Sequence, residues 1–437
     1  MTDVQEPLSS PGLDGAAERV PARRWWLFSP AVVVIWIVGM LDKTGVGIIV
    51  ADDKFLSDMH LEGRHGLIGL LTTVTLVFYG ASMPVWGMLI DRYGPRRCAL
   101  IGMTFWGLTT LAAGVAANVP TLLIARGALG VAEGFLWPMS NALTARWFPH
   151  AERSRAKSVW IGGINVGFAL SGFVITGAIA VSSWRGAFFL LTALALVVCV
   201  PVAWFLLRDD PAQEPRLGEE ERAFIVRGGG GAAAVADVPD GVPASRAARS
   251  ELRLWPFWVS AGVWITNNIG VYGLASWFPT YLKDEQHLGK GSASAYIALA
   301  FVLCIVAGPF VGLGMDRTGR KAIWTCGGFV AAALCLVVAA GVTALPVQLC
   351  AVIVAIIGIE GFTTLAAQGV LHSIAPARTM GRAAGLMIGI GNFVGAFGST
   401  AMGFFVDHGG FDSAFAFLIA VFVVGAGASL ALHRARY

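Results

Sequence analysis

The chain has 437 residues, of which 56% are hydrophobic and only 13% charged, whereas soluble domains run near 25% charged. A single soluble core of this length cannot bury so much apolar surface, so lipid is the expected solvent. The formal net charge of +4 gives no argument for a nucleic-acid partner.

Residues 1–24 are polar, with Asp3, Glu6, Asp14 and Glu18. They lack the basic-then-apolar layout of a signal peptide and read as a disordered cytoplasmic tail. A membrane span needs about 20 apolar residues to cross ~30 Å of hydrocarbon. Twelve such stretches are predicted, at 25–50, 66–90, 98–117, 120–145, 157–181, 186–207, 255–282, 292–315, 322–341, 344–371, 383–406 and 412–432. The first six make an N-terminal half, 25–207, and the last six a C-terminal half, 254–433. Between them, 208–253 is charged, contains the run Gly228 to Gly231, and reads as a flexible cytoplasmic linker. The fold class is therefore an all-α membrane protein of twelve helices. With the N-terminus inside, 24 Lys and Arg fall on the inner side and 5 on the outer, Lys157 being counted among the inner loop cations. That bias places both termini in the cytoplasm. The six cysteines lie in or beside apolar runs without CxxC spacing or a histidine cluster, so neither a disulfide framework nor a metal site is expected. Fifteen tryptophans are assigned to the membrane interfaces, their usual place.

The two halves repeat each other. Gly87, Asp91, Arg92, Gly94 and Arg96 recur as Gly312, Asp316, Arg317, Gly319 and Lys321 at an offset of 225. Glu133, Pro149, Arg155 and Asn165 recur as Glu360, Pro376, Arg382 and Asn392 at an offset of 227. A near-constant offset across several motifs signals duplication. Parallel six-span repeats are a recurring transporter plan, with solute held near mid-membrane between the halves. In the repeated loop, Asp91 and Asp316 can accept from a helix N-terminus or pair with an arginine, and Arg92 and Arg317 stay in the cytoplasm. Such a polar group serves as a conformational latch between the halves, as an anchor of topology, or as both.

These paired loops, at 87–97 and 312–321, resemble the signature of the major facilitator superfamily. Further stretches are similar to its anion:cation symporter family: Leu41 to Thr44, Arg126 and Gly127 through Glu133 and Pro138, Arg146 to Pro149 with Glu152 and Arg153, and Trp277 to Leu282. The resemblance spans roughly 25–432. It implies the two-half major facilitator fold and proton-coupled permeation of sugar acids, phthalate-like acids and related carboxylates.

An ionisable side chain in a span costs at least ~2.5–3.5 kcal/mol and must be paired or line an aqueous cavity. Five qualify: Asp42, Lys43, Arg126, Glu133 and Glu360. At ~1.5 Å rise per residue, Asp42 lies roughly 12 Å below the outer end of the first span and Arg126 roughly 9 Å below that of the fourth, so the two can pair. Glu133 follows Arg126 by seven residues on the same helix face. Lys43 is rotated ~100° from Asp42 and does not easily share its partner. A cation at mid-depth can hold an anionic substrate group. A carboxylate relieved of its cation more readily takes a proton. Lys43 and Arg126 are thus assigned to the anion, and Asp42 and Glu133 to proton coupling. The resemblance implies the same roles and adds Tyr79 to the substrate site. Two departures from the family pattern bear on specificity. Lys43 replaces the usual arginine, losing a bidentate fork, and Gly45 replaces an asparagine, removing a donor and widening the pocket.

Asn165, Asn267, Asn268, Gln368 and Asn392 either complete the substrate pocket or bond between helices. Glu360 is either neutralised by burial or faces a cytoplasmic vestibule, and His372 is given no role. No catalytic dyad, metal set or phosphate loop supports an enzyme. The expected function is import of a small organic anion by proton symport in the cell (inner) membrane. The transporter is expected to be a multi-pass monomer whose partners are the anion, protons and the lipid bilayer, with no cofactor beyond the proton gradient. Drug or metabolite efflux by antiport is the alternative, weakened by the lack of proline in 161–172. A non-transporting receptor is weaker still. At the repeat offsets Asp42 and Lys43 align with Asn267 and Asn268, Arg126 aligns with Ile353, and only Glu133 keeps its acid, as Glu360.

Overall fold

The computed structural model describes residues 22–231, 254–284 and 290–435. Most of the expected tail, the distal linker 232–253, and the loop cations Lys283 and Lys290 fall outside the described residues or side chains. Every regular element among the described residues is helical.

The N-terminal half comprises α1 (Arg23–Ile49), a short α2 (Asp53–Asp58), α3 (His65–Tyr93), α4 (Pro95–Gly114), α5 (Val119–Glu133), α6 (Leu136–Trp147), α7 (Arg153–Val181), α8 (Trp184–Ala193) and α9 (Val200–Leu206). The predicted fourth span is α5 and α6, broken after Glu133. The break lies where Gly134 meets Ser82 and Trp86, which leaves no room for a Cβ. The sixth span is α8 and α9 joined by a π-helical turn, Leu194–Cys199. Pro201, at the start of α9, cannot donate to the preceding turn, which accounts for the disturbed ladder.

The C-terminal half comprises α11 (Trp255–Asp284), α12 (Lys290–Thr318), α13 (Lys321–Gly341), α14 (Leu345–Ile356), α15 (Thr364–Ile374), α16 (Met380–Gly395) and α17 (Gly398–Arg434). A π-helical turn, Ile357–Thr363, joins α14 to α15. Inside α17 the backbone leaves helical geometry at Gly409 and Gly410 (φ −156° and 69°). Among the described residues nine helical stretches are long and apolar enough to cross a membrane, one of them the kinked Met380–Arg434. Pro95–Gly114 and Trp255–Asp284 are not among the nine.

Between the halves, the part of 208–253 that is described is folded rather than extended. It forms a 3-10 turn at Pro211–Gln213 and α10 (Glu219–Arg227). Glu221 of α10 is buried and accepts from the Arg24 side chain at 2.7 Å, and Arg24 also binds Glu152 at 2.8 Å. Arg24 and Arg153, counted above as loop cations, are buried here with polar partners.

Two equivalent crossings join the halves: α3 packs on α16, and α12 packs on α7. Their close approach comes from small residues, as in other membrane helix contacts. A Cβ on Gly80 would lie 2.7 Å from the Phe393 backbone nitrogen, and one on Gly389 would lie 2.8 Å from the Gly80 carbonyl oxygen. Gly162 has open space instead. Replacing Gly389 by leucine should therefore wedge α3 from α16 and cost about 1–3 kcal/mol, in the range of overpacked cores. Gly162→Ala should be neutral. Thermal unfolding of the two purified variants checks the contrast, and equal melting temperatures would contradict it.

Candidate substrate and ion site

Asp42 and Lys43 are consecutive on α1 and so point ~100° apart. Asp42 turns to α4 and α5. Its Oδ2 accepts from Trp106 Nε1 at 2.5 Å and from Thr110 Oγ1 at 2.9 Å. Its Oδ1 lies 3.7 Å from Arg126 Nη1. Lys43 turns to α3 and α5, where Nζ lies 3.6 Å from Glu133 Oε2 and 3.4 Å from the Tyr79 ring centroid. Asp42, Arg126 and Glu133 are buried, and the Lys43 side chain is 13% exposed. Each cation thus has one carboxylate. Both pairs stay beyond hydrogen-bond range, leaving Asp42 Oδ1, Arg126 Nε and Nη1, and both Glu133 oxygens without hydrogen-bond partners. Buried charges that are paired but not saturated by hydrogen bonds keep binding capacity for another polar group.

Beside Lys43, a cavity of 60 Å³ lies between the halves. Tyr79, Asn267, Asn268 and Asn392 line it with Lys43, as does Glu360. The Tyr272 hydroxyl donates to Asn392 Oδ1 at 2.7 Å, and Asn267 Nδ2 donates to Thr364 Oγ1 at 2.9 Å. A larger cavity of 340 Å³ adjoins it, sharing Phe168, Val271 and Glu360. Its other walls include Thr44 and Ile48 of α1, and Leu274 and Phe278 of α11. Phe168 stacks on Phe301 across the two halves at 4.7 Å.

On the opposite side, toward the face carrying Arg24, Glu152 and Asp316, the halves are closed. Trp137 and Trp264 meet edge to face at 5.5 Å, with Trp36 and Trp160 packed behind. Next come a His372 Nε2 to Asn141 Oδ1 contact of 2.9 Å and a Lys157 Nζ donation to the Gln368 carbonyl oxygen. Last come the repeated aspartates. Asp91 accepts from the backbone N–H groups of Gly381 and Arg382 at 2.9 and 2.8 Å. Asp316 accepts from those of Ser154 and Arg155 at 3.2 and 3.0 Å. Each caps the first turn of a helix in the other half, where unsatisfied N–H groups and the helix dipole favour an anion. Arg92 and Arg317 are exposed, Arg92 lying 5.2 Å from the Tyr93 ring.

A family description for the Major Facilitator Superfamily matches residues 24–399. The chain belongs to this superfamily. It is therefore a membrane transporter and not an enzyme. It is similar to the "Hexuronate transporter" of Bacillus subtilis, 26% identical over 90% of each chain. It is also similar to "Probable anion transporter 4, chloroplastic" of Oryza sativa subsp. japonica, 24% identical over 82% of this chain and 60% of the relative. The chain thus spans less than two thirds of that rice protein's length. Its fold is that of the human organic anion transporter MFSD10 (TETRAN), with a TM-score of 0.72, 14% identity, and coverage of 94% of this chain and 100% of that one.

Within this superfamily fold, several sequence expectations change. Of the residues assigned to the substrate, Arg126, Asn165 and Gln368 line neither cavity, although the Asn165 oxygen and the Gln368 amide are buried without hydrogen-bond partners. Gly45 does not widen the pocket: a Cβ there would meet Ile175 at 3.1 Å, because the residue packs on α7 and α8. Glu360 lines the cavities rather than a vestibule on the basic face. Lys157 is no loop cation but is fully buried, because α7 begins four residues earlier at Arg153. Trp36, Trp106, Trp147, Trp160, Trp184 and Trp264 are core residues rather than an interfacial belt. Sequence reasoning missed Trp106 and Thr110, the donors that hold Asp42. They stand four apart on one face of α4, and the only clue was a polar Thr109 and Thr110 within an apolar run.

Asp42→Asn leaves Arg126 buried without its charge partner, and breaking such a pair typically costs about 3–5 kcal/mol. Asp42→Asn with Arg126→Met removes both charges and should recover at least half of that loss. Denaturant unfolding of the single and double variants measures the coupling, and additive losses would contradict the pairing.

Proposed function

We propose that the protein imports a small organic anion by proton symport. The observation that carries this reading is the quartet of two cations and two carboxylates, all buried except the half-buried Lys43, each pair at 3.6–3.7 Å and short of hydrogen-bond contact. An anion arriving beside Lys43 competes with Glu133 for its charge. Relieved of that cation, Glu133 takes a proton more readily. Asp42 stands in the same relation to Arg126, but Trp106 and Thr110 hold it, so Glu133 is the more easily released acid. Anion and proton then neutralise the site together, which lowers the cost of carrying it between hydrophobic walls. The names of the relatives support an anion as cargo, and hexuronate heads the panel of compounds to test.

Alternating access follows from the same arrangement. The halves meet on the basic face through two aspartate caps and the His372–Asn141 contact, and around the large cavity through aromatic and aliphatic groups. Rocking the halves breaks the caps and opens the path on the basic face, which we assign to the cytoplasm with both termini. Counting Pro95–Gly114 and Trp255–Asp284, and taking Met380–Arg434 as two spans, makes twelve crossings. We place the protein in the cell (inner) membrane as a monomer that carries no cofactor.

Proteoliposomes with an inward proton gradient test the proposal. Uptake of hexuronate, an aromatic carboxylate or both should collapse when the gradient is dissipated. Glu133→Gln should abolish gradient-driven accumulation while retaining exchange of the anion. Full accumulation by Glu133→Gln would remove the proton role.

A further inference from the structure

Glu360 is the repeat mate of Glu133, and both sit where the backbone leaves regular α-helix: Glu133 at the end of α5, Glu360 in the π-helical turn Ile357–Thr363. Such turns concentrate at functional sites because they re-aim a side chain. Here the turn presents Glu360 to both cavities at once. The two acids differ in their partners. Glu133 has Lys43, whereas the equivalent position opposite Glu360 is Asn268, whose Nδ2 donates to the Trp264 carbonyl oxygen at 3.1 Å. Among the described residues no Lys, Arg or His reaches the Glu360 carboxylate within 4.0 Å. Thr364, one helical turn along, lines the same small cavity, and its hydroxyl accepts from Asn267.

A carboxylate between membrane helices needs a positive partner or a proton. Among the described residues no such partner reaches it, yet the carboxylate lines both cavities. The small cavity that it lines carries the rings of Trp137, Phe168, Trp264 and Tyr272 beside the amides of Asn267, Asn268 and Asn392. Aromatic rings and a carboxylate lining one cavity are surroundings that an organic ammonium group favours, through charge and cation–π attraction together. They offer nothing specific to a proton. Lys43 lines the same small cavity, so one ligand can meet a cation and an anion of the protein within one site.

We propose that Glu360 is the cation-binding end of the substrate site, and that the substrate is zwitterionic, carrying a positively charged nitrogen as well as an acid group. The acid group faces Lys43, the nitrogen faces Glu360, and the apolar body occupies the 340 Å³ cavity. This inference rests on the reading above that an acid group of the substrate meets Lys43, and it adds a balancing positive charge to that substrate.

The test uses matched pairs of compounds that differ by one amine: 3-phenylpropionate and phenylalanine, hexanoate and 6-aminohexanoate, 4-methylbenzoate and 4-(aminomethyl)benzoate. Binding to the purified full-length chain is measured by calorimetry, with the methyl ester of each acid as a control. In at least one pair the amine-bearing member should bind tenfold or more tighter. Glu360→Gln should erase that difference by weakening the amine-bearing member tenfold or more. Glu360→Asp should restore part of it. If no pair gains from the amine, or if Glu360→Gln keeps the preference, the inference is overturned. Acids that bind, weaken in Lys43→Met and gain nothing from the amine leave the anion reading standing while overturning this one. Acids that bind no tighter than their esters overturn both.

Discussion

An ionised side chain in hydrocarbon must find an opposite charge, a proton or water, because leaving it bare costs several kcal/mol. That constraint organises the middle of this transporter. Asp42, Lys43, Arg126 and Glu133 come from α1 and α5, and two further donors from α4 complete the set. The two pairs are not equivalent. Asp42 is held by an indole and a hydroxyl as well as by Arg126, while Glu133 has only an ammonium 3.6 Å away. A fixed pair beside a loose pair suits a site in which one carboxylate sets geometry and the other changes partners.

The duplicated scaffold distributes its tasks unequally. The crossings of α3 on α16 and α12 on α7 obey the repeat, and so do the reciprocal caps made by Asp91 and Asp316. Ion chemistry does not. In the second half asparagines replace the acid and base of α1, and they hydrogen-bond to Thr364 and Trp264 rather than to charges. The pseudo-symmetry holds where the halves meet, and it fails at the charged site.

Much of this was legible in the sequence because helical rise and rotation are fixed quantities. Comparing depths was enough to pair Asp42 with Arg126, and the rotation between Asp42 and Lys43 was enough to give them separate partners. The repeat offset located the matching Asp91 and Asp316 loops. What escaped notice depends on tertiary packing. Nothing local marks the π-helical turn at Glu360 or distinguishes a core tryptophan from an interfacial one. Gly45 aligned with a family donor yet faces α8, and the helix start at Arg153 decided whether Lys157 counted as a loop or a core cation. The folded first part of the linker was hidden by its composition, since α10 is held by Glu221 on Arg24 and by a single buried aliphatic side chain, Ile225, rather than by a long apolar stripe.

The central claim is that binding an anion beside Lys43 moves a proton onto a membrane carboxylate. Infrared difference spectroscopy of the reconstituted protein, recorded as the best-transported carboxylate is added, observes that event directly. The expected result is a new band from a protonated protein carboxyl group, with matching loss of carboxylate absorbance, that appears on binding and disappears when the ligand is washed out. Binding with no change in the protein's carboxyl bands would contradict it.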